Sequence, residues 1–140
     1  MGKHDTYGKK VMRKAFNSFD SKTINRIVNY NDGGSANIDG VIGEKVAVEI
    51  ESRASKQVRG ALLDLIFHKY KKKLLVLLPV HQHNIYTTAK QCRFILGKDI
   101  NSKNYRVVVL KGTGNKPQLN NDIKTIRKEL YDWRLTSHST

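Results

Sequence analysis

Apolar and polar residues alternate along this chain with helical and strand periods in turn. From Asp5 to Phe19, the residues Tyr7, Val11, Met12, Ala15, Phe16 and Phe19 recur on one helical face, with Asp5 or Thr6 as a cap. Ser21 to Tyr30 fits two periods. Ile24, Ile27 and Val28 suit a helix, whereas Arg26 to Tyr30 suits a short strand. Asn31-Asp-Gly-Gly-Ser35 reads as a turn. Two strands follow, Ala36–Ile42 and Lys45–Glu51, joined around Gly43 and Glu44 as a hairpin. In the second, Val46, Val48 and Ile50 point one way, and Ala47, Glu49 and Glu51 the other.

A long helix is predicted from Ala54 to about Lys71, with Val58, Ala61, Leu62, Leu65, Ile66 and Tyr70 as its apolar stripe. Lys71, Lys72 and Lys73 then read as its solvated, cationic end. The unbroken run from Leu74 suits a strand covered on both faces. Thr87 or Thr88 caps a helix running to Gly97, Tyr105–Leu110 is a further buried strand, and Asn120 or Asn121 caps a last helix carrying Ile123, Ile126, Leu130 and Trp133. The order of elements predicts one domain over residues 1–140. Its class is α/β, a layered fold with a mixed central β-sheet flanked by helices.

Composition narrows the partners rather than the fold. The 140 residues hold 26 Lys+Arg against 12 Asp+Glu, a formal charge of +14. Such a surface suits nucleic acid, where phosphate neutralisation releases counterions. An anionic membrane surface would call for a basic amphipathic helix, and these helices need their apolar faces for a core. The longest apolar run is too short to span a bilayer, and the first residues lack the apolar core of a secretory signal. A soluble, cytoplasmic protein is therefore expected. Cys92, the sole cysteine, excludes an intramolecular disulfide and a cysteine zinc cluster, and sits on a core stripe.

The acids are unevenly placed. Asp39, Glu44, Glu49 and Glu51 fall within one short stretch. Glu49 and Glu51 share a strand face, with Cα atoms about 7 Å apart. The turn at Gly43 brings Asp39 beside them, so three carboxylates are expected to converge. Clustered carboxylates repel unless a cation joins them, and hard oxygen ligands suit Mg²⁺. A metal held so beside a phosphate serves phosphodiester hydrolysis. Two plainer readings stay open here. Glu49 and Glu51 suit the solvent face of an edge strand, and Asp39 before Gly40 suits a turn.

With Asp39 followed by Glu49-Ile-Glu51 across a hairpin and a helix directly after, the region from residue 36 to residue 80 resembles the PD-(D/E)xK nuclease superfamily, with its restriction-endonuclease-like fold. Ile38 stands where the family often has proline. Glu51 stands where it has lysine, which is similar to the branch of type II restriction enzymes carrying E-x-E. The first helix has no glutamate to match an extra metal-binding acid found in some members, and Asp20 replaces it poorly. The resemblance implies a Mg²⁺-dependent endodeoxyribonuclease, with Mn²⁺ substituting, that cuts double-stranded DNA as a homodimer and has a DNA methyltransferase as cellular companion. It implies that Asp39 and Glu49 ligate the metal, aided by the Ile50 carbonyl, and that Glu51 positions or activates water. Arg53 or Lys56 would neutralise the scissile phosphate. Gln57 matches a functional glutamine of some members, and Arg59, Lys10 and Arg13 are expected to contact DNA.

Two rival functions are carried forward. A Holliday-junction resolvase shares fold and size but keeps the lysine that Glu51 replaces. A non-catalytic basic nucleic-acid-binding protein would explain the charge alone, although aromatics are scarce near its basic residues. His81 and His83 lack a third metal partner and read as loop surface. Gly112-Thr-Gly-Asn lacks the spacing of a phosphate-binding loop. No Ser-His-Asp or Cys-His arrangement has supporting spacing.

Overall fold

The apolar run beginning at Leu74 decides the layering. In the computed structural model, which describes residues 2–53, 56–80 and 84–135, the side chains from Leu74 to Leu78 are all fully buried. A strand buried on both faces needs cover above and below. The elements that supply it are α1 (Lys3–Ala15), β1 (Phe19–Asp20), β2 (Ile27–Asn29), β3 (Ser35–Asn37), β4 (Gly40–Ile42), β5 (Val46–Glu51), α2 (Lys56–Phe67), β6 (Lys72–Leu77), α3 (Ile85–Asp99), β7 (Tyr105–Val109) and α4 (Leu119–Glu129). Short 3-10 turns precede β2 and β7 and follow α4.

Five strands form one sheet in the order β1-β4-β5-β6-β7, and β2 and β3 pair apart from it. β4 runs antiparallel to β1 and β5, whereas β5, β6 and β7 are mutually parallel. Glu51 pairs with Leu77 and Leu77 with Val109, so the three parallel strands end level with one another. Val46, Val48, Ile50, Leu74 and Val76 pack with Val11, Met12 and Ala15 of α1 and Ile126 of α4. On the other face Ala47, Leu75 and Leu77 pack with Leu62 and Leu65 of α2 and Ala89, Cys92 and Leu96 of α3. The α/β layered class with a mixed sheet is thus the observed one.

Several elements differ from the periodicity. α1 stops at Ala15, because Asn17 and Ser18, weak helix formers, take a turn. Phe19 is buried instead from β1, opposite Ile42. The expected strand from Ala36 to Ile42 breaks at Ile38 and Asp39: β3 pairs with β2, and β4 with β5. The ambiguous stretch before Tyr30 resolves into a 3-10 turn and the strand β2. α2 ends at Phe67, and its expected start at Ala54 lies outside the described residues. Lys72 and Lys73 open β6 rather than close α2. Lys73 is buried, and its Nζ donates to the His68 carbonyl at 2.5 Å, meeting an acceptor just past the end of α2. Asn84, not Thr87 or Thr88, caps α3 through the Thr87 amide at 3.1 Å. Gln118 precedes α4 in place of a capping asparagine, and Trp133 lies in the turn after it.

Candidate active site

The site forms where the β4–β5 ladder gives way to side chains. Gly43 turns the hairpin with φ of 56°, a left-handed conformation that suits glycine. Ile42 pairs with Val46, Val41 with Ala47 and Gly40 with Val48. One step further, Asp39 and Glu49 face each other, and carboxylates replace backbone partners. The Asp39 amide donates to Glu49 Oε1 at 2.8 Å, and the Ile50 amide donates to Asp39 Oδ2 at 2.7 Å. Ile38 fixes where this exchange begins. It is fully buried, and its amide donates to the Arg26 carbonyl at 3.0 Å, a bond that a proline there has no N–H to make.

These crossed bonds hold the two acids against each other in a poorly hydrated place. Glu49 is 8% exposed, and Asp39 is half-buried nearer the solvent. Burial raises the pKa of Asp39, offset in part by the Ile50 amide, by Glu49 and by the charge of Lys9. Burial raises Glu49 well above the carboxylate range, and the charges of Asp39 and Asp64 add to the rise. Two carboxylates so placed do not both ionise easily. The pair therefore favours holding a proton.

Glu51 does not join them. It is 4% exposed and turned into the following loop, where its Oε2 accepts from the amides of Ser52 at 2.9 Å and Arg53 at 2.8 Å. The Arg53 guanidinium completes the set, with Nε 3.1 Å from Oε2 and Nη2 3.2 Å from Oε1. The expected convergence of three carboxylates is therefore corrected to a pair. Among the described residues, no three histidine, cysteine or acidic side chains gather on one point. The reason is local: two amides and a guanidinium hold the Glu51 oxygens in the loop, away from Asp39 and Glu49. Ile50 contributes its amide to Asp39. Arg53 is engaged by Glu51 rather than held open for a phosphate.

The fold brings in groups that strand spacing alone does not mark. Asp5, in the first turn of α1, acts by its charge on both Asp39 and Arg53, and Lys9, one turn later, acts on Asp39. Asp64 of α2 lies near Glu49 and accepts a hydrogen bond from the Tyr30 hydroxyl. Burial and Asp64 push the Tyr30 pKa upward. The one local signal was the helical i, i+4 spacing of Asp5 and Lys9. Asp64 and Tyr30 stand 34 residues apart and carry none.

The remaining candidates divide simply. Lys10 and Arg13 are exposed on α1, and Gln57 and Arg59 on α2, whose first residue is Lys56. His81 and His83 lie outside the described residues. Cys92 is buried in the core. The loop at Gly112 turns its amides inward. Those of Lys111 and Gly112 donate to Asp122, and that of Gly114 to His4 Nδ1. No described helix is long and apolar enough to cross a membrane.

Comparison with known proteins gives no relative to lean on: no family model, curated protein or solved structure matches the chain. Two carboxylates, Asp39 half-buried and Glu49 buried, with both acids driven toward protonation by burial, are hard oxygen donors of the kind that suit a divalent cation.

Proposed function

We propose that the protein is a metal-dependent endodeoxyribonuclease acting on duplex DNA, a type II site-specific restriction enzyme before other members of its class. The single observation that carries this reading is the crossed Asp39–Glu49 pair at the C-terminal end of β5, set in a chain of charge +14. Asp39 and Glu49 are the side chains that would hold Mg²⁺ or Mn²⁺. When bound, such an ion polarises a phosphoryl oxygen and lowers the pKa of a coordinated water. Asp39, the more exposed of the two, would meet the substrate side, and the buried Glu49 would anchor the ion from within. Exposed Lys10, Arg13, Gln57 and Arg59 on the flanking helices favour backbone contact with DNA. Cutting both strands of a palindromic site favours a homodimer. A protective DNA methyltransferase in the same cell follows from that role, and so does a soluble, cytoplasmic location.

The test is incubation with plasmid and phage DNA in Mg²⁺, Mn²⁺ or EDTA, beside an Asp39→Ala/Glu49→Ala control. Discrete fragments that vanish in EDTA and in the control are expected. Cleavage of four-way junctions without cleavage of linear duplex would assign the protein to the resolvases instead. DNA that is shifted on a gel but never cut, with undiminished binding by the control, would make it a binding protein.

A further inference from the structure

Two lysines are buried among the described residues, Lys9 and Lys73. Lys73 serves the fold through the His68 carbonyl. Lys9 is 7% exposed on α1, next to Gly8. At Gly8 a Cβ would sit 2.5 Å from Ile50 Cγ2, so α1 approaches to within a bare backbone of this strand. The Ile50 amide in turn holds Asp39. This close approach lays the turn carrying Asp5 and Lys9 on the Asp39 side of the acid pair, and the charge of Lys9 reaches Asp39. Arg53, the nearest alternative cation along the chain, is bound to both oxygens of Glu51.

We propose that Lys9 is the catalytic cation of this site, its ammonium binding a non-bridging oxygen of the scissile phosphate beside Asp39 and Glu49. The proposal rests on the nuclease reading. It gives E-x-E a physical meaning here: the positive charge comes from α1 across the Gly8 contact, and Glu51 is free to brace the loop. In the step, a water oxygen bonds to phosphorus and one phosphorus–ester oxygen bond breaks. The proton lost by the water is balanced by one gained at the leaving oxygen. Lys9 stays protonated throughout and contributes hydrogen bonds and charge.

Single-turnover cleavage of plasmid DNA in Mg²⁺ tests this, with duplex binding measured in Ca²⁺ and folding checked by thermal unfolding. Lys9→Met is expected to slow cleavage a hundredfold or more, with duplex affinity within threefold of wild type. Lys9→Arg should recover at least tenfold over Lys9→Met. Lys14→Met, which removes one exposed charge from the same helix, should cleave within threefold of wild type. Should Met at position 9 unfold the chain, Lys9→Gln is judged by the same criteria. Cleavage by a folded Lys9→Met protein within threefold of wild type overturns the role of Lys9 and leaves the nuclease reading standing. So does an equal fall in affinity and rate. A wild-type protein that cuts no DNA overturns both.

Discussion

Two carboxylate centres in this molecule are built in opposite ways. Asp122 of α4 is fully buried and fully partnered. Its oxygens accept from the Tyr7 hydroxyl at 2.5 Å, the Lys111 amide at 2.8 Å and the Gly112 amide at 2.9 Å. It ties α4, α1 and the loop after β7 into one unit, and the Tyr7 pKa is pushed up to about 12 by burial and by this acid. The Asp39–Glu49 pair is less buried, yet each acid takes a single backbone amide, and the charge of Asp39 pushes up the Glu49 pKa. A satisfied buried acid maintains architecture. An acid pair kept short of donors holds free energy that a cation or a substrate can release.

The sharpest way to break this comparison is to neutralise each centre. Asp39→Asn or Glu49→Gln should reduce cleavage at least about a thousandfold, the scale lost when a charged group central to phosphoryl transfer is removed. The folded state should survive both. Asp122→Ala should do the reverse. It leaves three donors, two of them buried, without their acceptor, at a cost of about 3–5 kcal/mol in urea unfolding, while the fraction that folds still cleaves. A Glu49→Gln protein that unfolds as readily as Asp122→Ala would erase the distinction.

The pH dependence sharpens it. The folded-state pKa of Glu49 lies above its unfolded value. Its contribution to stability is therefore complete below the unfolded pKa and is lost as pH rises through the folded one. In EDTA, wild type should lose stability relative to Glu49→Gln from about pH 5 upward, read by urea midpoints across the range. The opposite slope would mean that the pair is a stabilising ion-binding element already satisfied by the protein.

Smaller effects test the scaffold. Gly8→Ala drives a Cβ into the stiff Ile50 side chain. Overpacking of about 1–3 kcal/mol opposes a helix-propensity gain of about 1 kcal/mol, for a net loss near 1 kcal/mol. Cleavage should slow as α1 lifts from the pair. Arg53→Ala is expected to cost under about 1 kcal/mol, because the guanidinium is 63% exposed and its pairing is screened by water.

Much of the fold was legible because it follows from local period. Leu74 to Leu78 announced a doubly covered strand, and the Gly43 hairpin fell where the alternation changed. Asp39 and Glu49 were legible as a pair for the same reason, since a hairpin register places them opposite. Glu51 was not, because strand alternation fixes a face but not whether a chain ends there and turns its last side chain into a loop. Lys73 was misplaced because three consecutive lysines look alike whether solvated or buried, and only the position of the His68 carbonyl distinguishes them. Asp5, Lys9, Tyr30 and Asp64 reach the site by tertiary packing, and beyond the i, i+4 spacing of Asp5 and Lys9 no short window of sequence places them there.

The most direct test of the central claim, that Asp39 and Glu49 form a strained pair awaiting a cation, is urea unfolding of wild type and Asp39→Asn/Glu49→Gln at about pH 8, in EDTA and in Mg²⁺. The double variant is expected to be the more stable in EDTA, with Mg²⁺ stabilising wild type alone. A wild type more stable than the variant in EDTA and indifferent to Mg²⁺ would contradict it.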